Sequence, residues 1–106
     1  MFKKSARFSF KKGVPAKSTN SAFFNLRFRE NNNGLKCAFI IGRKVDKRST
    51  VRNKIKRRFS EALKKILGEK TINFDLVFYL KKELEDKSFL ELQSDLKNIL
   101  EKAKII

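Results

Sequence analysis

Histidine and tryptophan are absent from this chain, cysteine, proline and tyrosine occur once each, and acids are scarce, with 11 Asp and Glu against 27 Lys and Arg. With no His and one Cys, neither a zinc site nor a Cys/His or Ser/His nucleophile pair can be assembled. The lone Cys37 also excludes an internal disulfide and fits a reducing compartment. It stands in an apolar run and reads as a small buried hydrophobe. The acids of the first two-thirds are Glu30, Asp46 and Glu61. They fall on three separate elements, so the clustered carboxylates of a metal-dependent nuclease are not there. No apolar stretch is long enough to span a bilayer, and "MFKKSARFSF" lacks the apolar core of a signal peptide. The expected setting is the cytoplasm, with no membrane partner.

What is present is a core and a strong field. The chain has 106 residues, 41% of them apolar, with eleven Phe. That suffices for one domain with a modest core and argues against a disordered polycation. The net charge is +16, and it is unevenly placed. Residues 1–67 carry 20 basic and three acidic side chains, whereas residues 68–106 carry seven and eight. The first two-thirds therefore make the field, and a polyanion is its natural partner, nucleic acid ahead of a membrane surface.

The chain shows no internal repeat. Residues 1–21 form a basic N-terminal segment with interleaved Phe8 and Phe10, with room for a short helix, ending in the loop "GVPAKSTNS". The α+β core then occupies residues 22–106. "AFFNLRFRE", 22–30, alternates as a half-buried strand, with Phe24, Leu26 and Phe28 on one face and Phe23, Asn25, Arg27 and Arg29 on the other. "NNNG", 31–34, reads as a hairpin turn. "LKCAFIIGRKV", 35–45, is a second strand, apolar on both faces and so placed centrally in the sheet. The connector "DKRST" offers Ser49 or Thr50 as the N-cap of a helix over about 51–67. Val51, Ile55, Phe59, Ala62, Leu63 and Ile66 form that helix's apolar stripe, and Gly68 closes it. "TINFDLVFYL", 71–80, is a third strand. Ser88 and Glu91 make a capping box that opens a last helix, running to about Lys104 with Phe89, Leu92, Leu96, Ile99 and Ala103 inward. The order predicts a small mixed sheet packed with helices, a two-layer α+β sandwich.

Nine of the sixteen residues from Arg43 to Arg58 are basic. A bland solvated helix face would interleave Glu with Lys at i,i+4, but this helix has Glu61 alone. The intact apolar stripe excludes a disordered tail, and the need of the sheet for that stripe argues against a membrane-surface helix. Phosphate binding remains, through Arg43, Lys44, Lys47, Arg48, Arg52, Lys54, Lys56, Arg57 and Arg58. Asn53 either bonds a phosphate, 2′-OH or base edge or caps the helix. Phe23 either stacks an unpaired base or packs in the core.

The stretch "CAFIIGRKVDKRSTVRNKIKRRFSEAL" resembles the central segment of the bacterial ribonuclease P protein component. Arg43 and Lys44 match that family's basic pair at a strand end. Arg52, Asn53 and Lys54 match its Arg-Asn-Arg-type motif, with Lys in the third place, and Lys56 and Arg57 match the basic pair that follows. The resemblance covers roughly residues 8–103. "DKRST" stands where the family has Gly-Asn-Ala, and is longer and more basic. Arg27 stands where an aromatic is usual on the outer strand face, and Phe8 and Phe10 take the place of the aromatics of a longer N-terminal helix.

The resemblance implies a protein subunit that is not itself the catalyst. A catalytic RNA subunit cleaves the 5′ end of precursor tRNA using Mg2+ held mainly by the RNA. The basic helix contacts that RNA, and a cleft carrying Phe8, Phe10, Phe23 and Arg27 takes the single-stranded 5′ leader. It also implies a monomer in a 1:1 ribonucleoprotein and a left-handed β-α-β crossover, against the general right-handed preference. The alternative is another small basic RNA-binding protein, such as a ribosomal protein.

Overall fold

The computed structural model describes residues 8, 10, 13–32 and 34–106; most of the N-terminal segment, with its room for a short helix, lies outside them. The elements are β1 (Lys17–Asn20), β2 (Phe24–Glu30), β3 (Lys36–Ile40), α1 (Ser49–Leu67), β4 (Phe74–Leu80), a 3-10 turn (Lys82–Asp86) and α2 (Phe89–Lys102). The four strands form one mixed sheet in the order β1-β2-β4-β3. β4 runs antiparallel to β2 and parallel to β3, so α1 is the crossover between neighbouring parallel strands. No helix among the described residues is long and apolar enough to cross a membrane.

One sheet face is covered by the helices. Phe24 and Leu26 of β2, Leu76, Phe78 and Leu80 of β4 and Cys37 of β3 are buried there with Ile55, Phe59, Ala62 and Leu63 of α1. Phe59 is the hub: its ring lies 5.2 Å from Phe24, 4.9 Å from Phe78 and 5.7 Å from Phe39. These separations suit edge-to-face and tilted aromatic packing. Leu92, Leu96, Ile99 and Leu100 bury the inner side of α2. The Ser88 cap forms as expected, Ser88 Oγ accepting the Glu91 N–H at 3.2 Å, and Glu91 Oε1 accepts from the same hydroxyl at 3.1 Å. Burial pushes the Cys37 thiol up to about 12, because a thiolate would be stripped of water there.

The structure differs from the sequence reading in four places. "AKSTN" was read as loop, yet Lys17–Asn20 is a strand paired antiparallel with β2. The hairpin turn is 21–23, where Ser21 Oγ accepts the N–H of Phe23 at 3.0 Å and of Phe24 at 3.2 Å. The "NNNG" segment is no hairpin, because β4 lies between the strands that it joins. It is moored to the start of β4, with the Asn73 side chain accepting the Gly34 N–H at 3.1 Å. β3 is an edge strand, not a central one. Phe8 reaches this strand, its N–H donating to the Cys37 carbonyl at 3.0 Å.

The fourth difference is at the start of α1. The N-cap is Arg48, and no side chain caps the helix. The Asp46 carboxylate instead folds the connector, accepting the Arg48 N–H at 2.8 Å and its guanidinium at 3.1 and 3.0 Å. At the other end Gly68 takes φ +54° and donates to the Lys64 carbonyl at 2.9 Å. A left-handed position of this kind is one that glycine tolerates.

Candidate nucleic-acid interface

The first basic face is built where β3 hands over to α1. Strand pairing ends at Ile40, and Arg43 and Lys44 sit exposed in the turn that follows. Arg52, one turn into α1, reaches back with Nη1 to the carbonyls of Asp46 at 3.1 Å and Lys47 at 3.3 Å. Its fork thus fixes the connector against the helix. The result is an open depression of about 610 Å³ lined by Arg43, Lys44, Lys47, Ser49 and Arg52. No carboxylate lines it, and the uncapped helix start adds backbone N–H groups at its edge. Strand-end pair, connector and helix motif, separate in sequence, are brought together here.

Two acids lie beside the connector, Asp46 within it and Glu85 from the 3-10 turn. The Arg48 hydrogen bond holds the Asp46 carboxyl down at about 2, so it is ionised at neutral pH. In turn the Asp46 carboxylate raises the Arg48 guanidinium further above its already high range. Arg48 is thereby partly neutralised, although its side chain remains 72% exposed.

Along α1 the basic residues separate into two groups. Asn53, Lys54 and Arg57 are exposed, on the side away from Ile55 and Phe59, and Lys56 is half-buried. Asn53 is the fifth residue of the helix and too far along to cap it, which removes one of its two readings. Arg58 turns the other way. Its Nη2 donates to the Lys87 carbonyl at 2.6 Å, joining α1 to the segment that precedes α2.

The second face is the side of the sheet away from the helices. Register aligns Asn20 with Asn25 and Asn25 with Tyr79, then Ser18 with Arg27 and Arg27 with Val77. Val14, Ser18, Asn20, Asn25, Arg27 and Tyr79 line an open depression of about 500 Å³. Arg27 donates from Nη1 to the Pro15 carbonyl at 3.4 Å, tying the N-terminal segment to the sheet. Next to it along β2, Arg29 pairs with Asp75 at 2.7 Å and holds its guanidinium 5.5 Å from the centre of the Phe8 ring. Phe8 is buried and packs edge-on against Phe10, whose ring is 46% exposed.

Phe23 does not share this face. The alternation of β2 begins only at Phe24, and the Ser21 turn reorients the residue before it. Its ring packs at the periphery of the core, with Lys87 Nζ 4.7 Å from its centre. Arg43 and Lys44 line the other depression. Tyr79 was missed from the sequence, although the alternation of Asp75, Val77 and Tyr79 against Leu76, Phe78 and Leu80 marks it as outward.

Among the described residues no group of three or more His, Cys, Asp or Glu side chains converges. The donors of both faces are cations, amides and hydroxyls, a set that suits phosphate and base edges better than a divalent cation.

The family model described as Ribonuclease P matches residues 2–104. The ribonuclease P protein component of Chloroflexus aggregans is 35% identical over 71 residues, 66% of this chain and 52% of that protein. That of Rickettsia prowazekii is 36% identical over 63 residues, 57% of this chain and 52% of that protein. This chain spans about half the length of the curated relatives that it matches. Among solved structures, the ribonuclease P protein from Thermotoga maritima superposes with a TM-score of 0.74 at 25% identity, covering 91% of this chain and 96% of that one. The Staphylococcus aureus ribonuclease P protein gives 0.73 at 24% identity, over 96% and 98%.

Proposed function

The chain belongs to the ribonuclease P protein family, and on that premise we propose that it is the protein subunit of a ribonuclease P ribonucleoprotein that removes the 5′ leader of precursor tRNA. The observation that carries this reading is the carboxylate-free depression where Arg43, Lys44, Lys47 and Arg52 converge. Cations gathered on a rigid corner neutralise phosphates and release counterions, which gives affinity for a folded RNA with little sequence reading. The exposed row of Asn53, Lys54 and Arg57, with Lys56 beside it, extends that surface along α1. This face takes the catalytic RNA.

The outer sheet face takes the single-stranded 5′ leader. Arg27 supplies a phosphate contact there, and the exposed Phe10 ring flanks it beside Phe8. Phe23, on the other side of the sheet, is left out of this surface. The protein positions RNA and does not cleave it: its interface donors hold phosphates, and the Mg2+ ions of the reaction are held by the RNA subunit. One copy acts per RNA, in the cytoplasm.

The test is reconstitution with a bacterial catalytic RNA and precursor tRNA at low magnesium. The protein should accelerate 5′ cleavage with the RNA present and produce none alone. Cleavage by RNA-free protein, or no acceleration, would overturn the reading.

A further inference from the structure

The outer sheet face carries an aromatic ring, Tyr79, that lines an open depression. Among the described residues the other paired rings are engaged: Phe24, Phe39, Phe59 and Phe78 with one another in the core, Phe8 with Phe10, Phe23 with Lys87 and Phe89 with Lys65. Phe28 and Phe74 pack against the core, and Tyr79 has no ring or cation partner among the described residues. It is half-buried on the central strand, and its ring lines the 500 Å³ depression.

Its neighbours define what fits. The depression has one cation, Arg27, and no carboxylate. Of the five guanidinium N–H donors of Arg27, one is directed at the Pro15 carbonyl over a long 3.4 Å. The others can meet a phosphate. Asn20 and Asn25 are cross-strand partners, and Asn25 is the partner of Tyr79. Each amide offers both a donor and an acceptor to a base edge or a 2′-OH. Val14, 40% exposed, adds an apolar contact. An aromatic platform with amides on one side and a cation in the next row is the chemistry of an unpaired nucleotide. The apolar part is too small for a protein helix, which needs a groove of several anchors.

We infer that Tyr79 is the platform on which one unpaired base of the precursor tRNA leader stacks, with Arg27 on an adjoining phosphate. The inference rests on the leader reading of this face given above. Stacking engages the π-face that every base has, so Tyr79 fixes where along the leader a base is held more than which base it is.

The experiment uses the protein assembled with a bacterial catalytic RNA and measures the affinity of precursor and mature tRNA for wild type, Tyr79→Leu, Tyr79→Phe and Arg27→Ala. Tyr79→Leu should weaken precursor binding by roughly ten- to a hundred-fold and leave mature tRNA unchanged. Tyr79→Phe keeps the ring and should bind as wild type does. In wild-type complexes, abasic nucleotides placed one at a time through the leader should reproduce the loss at a single position. That position should be silent in Tyr79→Leu. If no abasic position costs affinity, the inference fails even where Tyr79→Leu folds poorly. If Arg27→Ala loses leader-dependent affinity while Tyr79→Leu does not, the face holds the leader but Tyr79 is not its platform. If neither variant distinguishes precursor from mature tRNA, the leader reading itself fails and this inference with it. Equal losses for both RNAs in Tyr79→Leu would place the ring against another RNA surface and overturn the inference.

Discussion

Arg58 donates from Nη2 to the Lys87 carbonyl at 2.6 Å and so clamps the third turn of α1 to the residue just before the α2 cap. Lys87 is itself held over the Phe23 ring at 4.7 Å and lies 3.6 Å from Glu91. A cation that sequence would group with the RNA-binding residues therefore joins three parts of the fold. Arg58→Ala should lower stability by about 1.5–3 kcal/mol, the range for a hydrogen bond that involves a charged group. Its effect on RNA affinity should be smaller than that of Arg57→Ala. Urea denaturation and RNA titration on the same variant check both.

Arg57 is exposed, and its loss should be purely electrostatic. For Arg57→Ala the slope of log affinity against log salt should become shallower by roughly 0.7–0.9, one phosphate contact, with an unchanged melting temperature.

Arg52 should behave differently from Arg57. Arg52→Ala removes a cation and also releases the connector that carries Lys47 and Arg48, because both of its carbonyl bonds are lost. Its affinity loss should exceed that of Arg57→Ala, and amide exchange at 46–48 should quicken. Equal losses in the two variants would mean that the clamp does not matter for binding.

Much of this division was legible in the sequence, and its limits have physical causes. The α1 and α2 stripes, the Ser88 cap and the alternation of β2 are local patterns with periods of 3.6 and 2, and they survive into the structure. β1 was hidden because Lys17, Ser18, Thr19 and Asn20 form a mostly exposed edge strand with no apolar alternation. The strand order was hidden because it depends on which strand enters between β2 and β3, a choice made by pairing across about fifty residues rather than by a turn. The missing cap of α1 was hidden because Asp46 organises the connector in place of Ser49 or Thr50. Phe23 was misplaced by extending a strand pattern one residue past the turn that ends it.

The core gives a stability prediction. Phe59→Ala should cost about 3–5 kcal/mol and Ile55→Ala about 2–5 kcal/mol, since both side chains are buried between α1 and the sheet. Urea midpoints should fall accordingly. A midpoint within error of wild type for Phe59→Ala would contradict the packing described.

Asp46 gives a pH prediction. Its carboxyl titrates at about 2 in the fold against an ordinary 3.8, lowered chiefly by its hydrogen bonds to Arg48. A depressed acid contributes its stability above the unfolded value and loses it as pH falls through the folded one. The contribution should therefore be complete above about pH 5 and fade between roughly pH 4 and 2. Asp46→Asn should remove that part of the acid dependence of the melting temperature, while the remaining carboxylates keep theirs.

The position of β4 between β2 and β3 sets the order in which a nascent chain can acquire its shape. β4 is the last strand to be synthesised, and until it appears β3 has no sheet neighbour and β2 has only β1. Contacts of such wide sequence separation close late and slow the folding of small domains. A chain that has emerged only as far as Leu67 already contains every residue of the basic connector and helix, but not β4, whose Phe78 completes the packing of Phe59. Its cations are then linked to an open apolar stripe, a combination that invites premature association with any nearby RNA and with other unfinished chains. Folding and orderly recognition thus await the same seven residues, Phe74–Leu80.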